Sequence, residues 1–503
     1  MNYPRFNPLH SVSKGWIAAG ILVWIALAGV TRSSLAQATT NSAPQATGGE
    51  SNPLDDLGRR LDAVEAENAF LRGEVERLNA SPDTRWSSGA PGAGCCPSCG
   101  KEVCPGLPHL CGFCFERLAW NKEGGIRIVP TITIRGEMIQ SERVRLGSPI
   151  ILGLAPATPG VNEDEFTVHA KTSSLSLDAT GPNLGDFRTS GGITATLLNQ
   201  LPLRNLSGFF VVRAYADLTS DDWRFRLGRD NDLFSPLNPS TVNMLLQKGA
   251  GNLGWFRGQF RVDRYFQVSD RHRWTVATSL SQPDVTDFLV NPAIRGSDNG
   301  WPNVEGRLGL QLGTPRDGQS PFDFGVSGLV GQLRAVDPGG VFGGATGPIV
   351  VFPGQEVSEI WALNVDAQIH GERLGARGEF WVGEGAGTYF MAAAQSLNPQ
   401  TGRPIRAHGG WGEVYYKLTP AHTIHGGFGI DDPRNQDVGA TNLANPNDPG
   451  QNTLNQVAWL TWWYQATSYL RLGFEVSHRK TDYLDPTSNS QGMLYHGTVW
   501  TTF

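Results

Sequence analysis

The feature that most constrains this 503-residue chain is the alternation of its connections. From Gly124 onward, segments of period-two hydrophobicity are joined in turn by brief and by long stretches. The brief joints read GPNLGD, TSDD, VSD, TPRDGQ, HGER, LTPAH and QATS. Most of the others are long: 146–162, 231–252, 282–300, 337–355, 388–406 and 431–451, with NQLPLRN a weaker member. The segments between them number roughly 16. A soluble sandwich gives no reason for such parity, whereas a transmembrane barrel has tight turns at one end and free loops at the other.

The segments themselves read as strands. Phe256, Gly258, Phe260 and Val262 oppose Arg257, Gln259 and Arg261. Val304, Leu308 and Leu310 oppose Glu305, Arg307 and Gln311. Trp361, Leu363 and Val365 oppose Asn364, Asp366 and Gln368, and Leu472, Phe474 and Val476 oppose Arg471, Glu475 and Ser477. Successive side chains on a strand point to opposite faces, so each segment has one apolar and one polar side. Only 17% of residues are charged, against about 25% in ordinary soluble domains. The expected fold is an all-β, antiparallel transmembrane barrel over 124–503, apolar outside and wet inside. Lipid does not tolerate an open sheet edge, so the sheet must close. The chain ends on Tyr495, Gly497, Val499, Thr501 and Phe503 along one strand face. That terminal Phe resembles the recognition signal of bacterial outer-membrane proteins, which implies handling by the barrel-assembly machinery.

The first 120 residues read differently. Arg5 and Lys14 precede an apolar run, Trp16 to Val30, followed by small residues at Ser34 and Ala36. The run is about 15 residues, short of the roughly 20 that a spanning helix needs. It reads as a signal peptide over 1–36, hence an exported protein. Residues 37–53 read as a flexible linker. Within 54–80, Leu54, Leu57, Leu61, Val64, Asn68, Leu71, Val75 and Leu78 alternate spacings of three and four. That is a coiled-coil seam, with Asn68 at an a position where a buried amide fixes register. An even strand count puts this oligomerising coil in the periplasm. A second linker, 81–94, leads to a module at 95–120 that holds all six cysteines. Cys96, Cys99, Cys111 and Cys114 form two CxxC turns that could close a structural zinc tetrahedron. In an oxidising compartment the same thiols could form disulfides. Both readings stand, and the barrel itself calls for no cofactor.

One region carries a closer likeness. SSLSLDATGPNLGDFRTSGGITATL and FFVVRAYADLTSDDWRFRLGRDNDLFSPLNP, with RAYADL and GRDNDLFSPL within them, resemble the DcaP-like trimeric porins. The resemblance implies a 16-stranded barrel after a signal peptide and coiled coil, a homotrimer, and passive uptake of small anionic solutes. The cysteine module departs from that family's pattern.

The strand phase also predicts lumen residues. With Phe210, Val212 and Ala214 toward lipid, Arg213 and Tyr215 turn inward. With Trp223, Phe225 and Leu227 outward, Arg224 and Arg226 turn inward, and Arg257 and Arg261 share that phase. Facing lipid, an arginine costs about 2–4 kcal/mol near the midplane. In a wet lumen these five would attract anions, unless acids across the lumen pair with them and stiffen the wall. The long joint NDLFSPLNPSTVNMLLQKGAG, with Asn231, Pro239, Asn243 and Lys248, is expected to fold inward as a constriction. The expected function is thus an outer-membrane porin for small hydrophilic solutes that favours anions. The alternative is an envelope tether acting through the coil and cysteine module. His408, His422 and His425 lack a nucleophile motif such as GxSxG, so no enzyme is expected. A formal charge of −6 offers no basic footprint for nucleic acid.

Overall fold

The computed structural model describes residues 120–122, 125–146, 151–199, 207–283, 294–295, 300–314, 320–335, 357–441, 445 and 447–503. The signal peptide, linkers, coiled-coil seam and all six cysteines fall outside the described residues; of the module at 95–120 only Trp120 is described, opposite Ile128.

Sixteen antiparallel strands form one closed barrel. They are β1 (Ile126–Ser141), β2 (Glu165–His169 and Ser174–Thr180, with a break between), β3 (Arg188–Asn199) and β4 (Ser207–Thr219). Then come β5 (Trp223–Asn231), β6 (Phe256–Ser269), β7 (His272–Ser281) and β8 (Asn303–Leu312). β9 (Phe322–Ala335), β10 (Val357–His370), β11 (Leu374–Glu384) and β12 (Arg406–Lys417) follow. β13 (His422–Pro433), β14 (Asn452–Gln465), β15 (Leu470–Tyr483) and β16 (Ser490–Thr502) complete the wall. Each strand pairs with its neighbour in sequence. β16 returns to β1, with Thr133–Ser141 opposite Leu494–Thr502. The terminal residue belongs to this closure: Phe503 N–H donates to the Ile132 carbonyl at 2.8 Å, and Ile132 N–H donates to Phe503 at 2.9 Å. No strand edge remains at the seam, as a hydrocarbon surround requires.

Outward rows are apolar and bare. Leu227, Leu363, Phe380, Leu460 and Phe474 are exposed, whereas their inward neighbours Arg226, Asn364, Glu379, Thr461 and Glu475 are buried. This inversion of soluble-protein burial follows from a barrel whose hydrophobic solvent is outside. The turn end carries aromatic belts: His422 stacks on Tyr464 at 4.4 Å between ring centroids, beside Trp462 at 5.7 Å. Tyr and Trp rings suit the boundary between lipid and water.

One strand departs from simple alternation. The β3–β4 register shifts between Thr194 and Ala195, which face Arg213 and Val211 and leave Val212 as the extra residue of a bulge. Val212, assigned above to lipid, is therefore buried, and Val211 is the exposed residue. A bulge inserts one residue and re-phases the strand on one side of it, which a strict period of two cannot show.

Candidate transport lumen

Among the described residues, the largest apolar cluster lies inside the barrel. Phe234, Leu245 and Leu253 from the loop 232–255 pack with Tyr389, Phe390 and Met391 from the loop 385–405. Wall residues Leu329, Ile360 and Trp381 back them. The first loop was expected to fold inward; the second was not.

Glutamates on the inner face carry the first loop across the lumen. Glu305 on β8 accepts the N–H groups of Leu233 at 2.7 Å and Phe234 at 3.0 Å. Glu379 on β11 accepts Ser235 Oγ–H at 2.6 Å and Leu237 N–H at 3.0 Å. Glu413 on β12 accepts Ser240 N–H at 2.8 Å, and Glu475 on β15 accepts Val242 N–H at 2.7 Å. Arg135 on β1 finishes the traverse by donating to the Val242 carbonyl. A loop in a wet lumen has no ladder to satisfy its amides, so buried carboxylates take that role. Hydrogen bonds to ionised acceptors are roughly twice as strong as neutral ones. These glutamates stand at inward register within apolar alternation, which is the only sequence signal they give.

Tyr389 ties the two loops together. Its hydroxyl donates to Glu305 at 2.9 Å, and its carbonyl accepts Gly254 N–H at 3.0 Å. The Arg257 guanidinium lies 3.6 Å above its ring and donates to the Thr388 carbonyl at 2.5 Å. Asp431 on β13 holds the second loop from below by accepting Ala393 N–H at 2.9 Å.

The five arginines named from the sequence lie on inward rows, and each is paired. Arg213 meets Asp230 at 2.7 Å, and Arg224 meets Asp263 at 2.7 Å. Arg226 meets Asp217 at 2.5 Å and also Asp230. Arg257 meets Asp232 at 2.8 Å, and Arg261 meets Asp263 at 2.8 Å. Of the two roles left open above, this geometry is that of a stiffened wall. Within these pairs five guanidiniums face four carboxylates, leaving a single positive charge in excess. Elsewhere Arg307 pairs with Asp366 at 2.6 Å, and Arg377 with Glu413 at 2.9 Å.

The named loop residues divide. Pro239 is buried in the loop. Asn243 caps a turn, its Oδ1 accepting Leu245 N–H at 3.0 Å. Lys248 folds back on its own loop, donating to the Leu253 carbonyl at 2.6 Å. Asn231 ends β5 opposite Phe256 and stands at the rim. The three histidines do not converge: His408 and His422 belong to outward rows, whereas His425 points inward to Glu413 at 3.1 Å. Among the described residues no cluster of three or more His, Cys, Asp or Glu could hold a metal.

Taken together, closure, inverted polarity and inward-folded loops define the fold as that of the outer-membrane channels. It is similar to the outer membrane channel DcaP of Acinetobacter baumannii, with a TM-score of 0.56 at 15% identity over 76% of this chain and 99% of that one. The likeness read from the β2–β5 region thus holds at the level of the fold. Looser matches include an anion-selective porin from Comamonas acidovorans (TM-score 0.47, 10% identity, 75% of this chain and 100% of that one). OprB of Pseudomonas putida also matches (TM-score 0.45, 11% identity, 75% and 94%). No protein-family profile matches the chain, and no curated protein matches it in sequence.

Proposed function

We propose that the protein is an outer-membrane porin, a passive channel for small hydrophilic solutes with a preference for anions. The observation that carries this is the closed barrel with a bare apolar exterior and a wall of charged pairs inside it. A charged lumen keeps a hydrated path through a low-dielectric slab. The loop 232–255, pinned across that path by buried glutamates, is its constriction. Arg471 on β15, inward and without a carboxylate partner among the described residues, supports the anion preference, since a narrow low-dielectric passage focuses an unmatched charge.

The exterior supports a homo-oligomer. Ile132, Ile134, Gly136 and Met138 on β1, Gly191, Ile193 and Ala195 on β3, and Ala214 and Ala216 on β4 make a mainly aliphatic sector of small and branched side chains. Phe166 and Val168 beside them on β2 are among the barest apolar residues, at 62% and 67% exposure. This sector is where copies of the barrel, three on the likeness to DcaP-like porins, meet. The rest of the wall faces lipid.

Planar-bilayer recording tests the reading. Large open steps in KCl are expected, with a reversal potential in a salt gradient that favours chloride. Replacing Arg224 and Arg257 by Gln should shift that potential toward potassium. Absence of open steps overturns the channel, and cation preference in the parent overturns the anion reading.

A further inference from the structure

We infer that the inner wall near the turn end carries a subsite for an aromatic monocarboxylate, built on Trp500 between Arg135 and Arg471. It rests on the channel reading above and deepens it. The sheet register fixes the arrangement. Trp500 on β16 is directly opposite Arg135 on β1 and directly opposite Arg471 on β15. All three lie on inward rows, since their neighbours Ile134, Leu472 and Val499 belong to the outward ones.

The site is built rather than incidental. The Arg471 guanidinium carbon sits 3.8 Å from the ring centroid of Trp463 on β14, and that of Arg135 sits 5.1 Å from the Trp500 ring. The two indoles are 6.2 Å apart and tilted by 58°. Trp463 reaches across because its partner on β15 is Gly473, where a Cβ would run into the six-membered ring. Its Nε1–H is fastened to the Ser240 carbonyl of the inner loop at 3.4 Å. The platform is therefore held in place before any solute arrives, which lowers the cost of binding.

The charges differ in how they are matched. Arg135 pairs with Glu137 at 2.9 Å. Arg471 has no carboxylate partner among the described residues, and it is only half-buried, as is Trp500. One face of its guanidinium is taken by Trp463, and its N–H edge makes no hydrogen bond to any other described residue. A guanidinium edge presents a planar fork that fits a carboxylate in two parallel bonds. A solute held there in plane carries its body toward the part-exposed Trp500. A flat ring fills that space and, tilted from the Trp500 indole as Trp463 is, gains the edge-to-face contact that aromatic pairs make. An aliphatic carboxylate gains only the fork, and inorganic phosphate gains nothing from the indole.

Isothermal titration of the detergent-solubilised full chain with benzoate, cyclohexanecarboxylate and acetate tests this without requiring conduction. Benzoate should bind tightest and acetate weakest. Arg471→Gln should weaken benzoate at least tenfold, and Arg471→Lys should recover only part of that loss. Trp500→Leu should bring benzoate down to cyclohexanecarboxylate, while Trp500→Phe keeps them apart. Equal binding of the three acids by the parent, or unchanged benzoate binding in Arg471→Gln, overturns the subsite. If the Arg471 variants do not fold, the two Trp500 variants decide by the same comparison. Parent KCl conductance is recorded in parallel: open steps without benzoate preference sink the subsite alone, and benzoate preference without open steps sinks the channel alone.

Discussion

Glu305 is the residue whose removal most directly tests how the lumen is organised. It is fully buried, and its two oxygens serve both inward loops. Oε2 accepts the Leu233 and Phe234 amides; Oε1 accepts Ser281 Oγ–H at 2.6 Å and Tyr389 Oη–H at 2.9 Å. In Glu305→Gln the amide oxygen can still take both backbone N–H groups, and the two hydroxyls can turn to accept from its NH₂. Only charge assistance is lost, about 1 kcal/mol for each backbone bond and so roughly 2 kcal/mol in all. Glu305→Ala strands two buried N–H groups, at about 1–3 kcal/mol each, and so costs roughly 4 kcal/mol or more. At about 1.4 kcal/mol per factor of ten, amide exchange of Leu233 and Phe234 should accelerate roughly 30-fold in the Gln variant and roughly 1,000-fold in the Ala variant. Single-channel conductance and open-state noise should rise in the same order. The strands should keep their slow exchange, since their ladders do not involve this carboxylate. If Glu305→Ala leaves both amides protected and the conductance unaltered, the carboxylate latch is not what holds the loop.

Three further outcomes follow from the same geometry. Deleting Pro239–Lys248 removes the amides that Glu413 and Glu475 hold and should raise single-channel conductance; no change rejects a constriction role for the loop. Gly251→Ala places a side chain at φ +103°, against the Gly410 carbonyl oxygen, and threatens the bond from Trp381 Nε1–H to the Gly251 carbonyl at 2.7 Å. Backbone strain of about 1–3 kcal/mol should unseat the loop and speed its exchange, and parent-like exchange would show that the close approach is dispensable. In the loop after β13, two hydrogen bonds of 2.7 Å from Arg406 hold the Asp437 carboxyl below its usual range. A depressed acid contributes stability above its unfolded pKa of about 3.9 and loses it as pH falls through the folded value. Asp437→Asn should therefore loosen the Gly439 amide at neutral pH by about 0.5–1 kcal/mol, a figure kept small because the pair is part-exposed. The difference from the parent should vanish in strong acid; a difference that persists there would assign the loss to packing.

Much of the wall was legible because its pattern is local. Each strand declares its two faces within a few residues, as Val304 to Gln311 does, and turn length declares which end of the barrel a joint occupies. The inward face of Arg224, Arg226, Arg257 and Arg261 follows from neighbours two positions away. Val212 was misplaced because a bulge depends on the partner strand as well as on the strand's own pattern. The second inward loop was missed for a related reason. Tyr389, Phe390 and Met391 are an apolar cluster in a long joint, and apolar residues in a joint do not say what will cover them.

The chain's own order of residues determined that it must close on itself, which side meets lipid, and that Tyr495 to Thr501 lie in a final strand. Those are consequences of period two, connection length and the intolerance of hydrocarbon for unpaired backbone. The tertiary structure alone decided which charges cancel and what crosses the lumen. Glu305 meets Leu233 across 72 positions, and Glu475 meets Val242 across 233. Such pairings arise only when the sheet curls until opposite walls come within reach of one loop, and no local pattern records how far that curl goes.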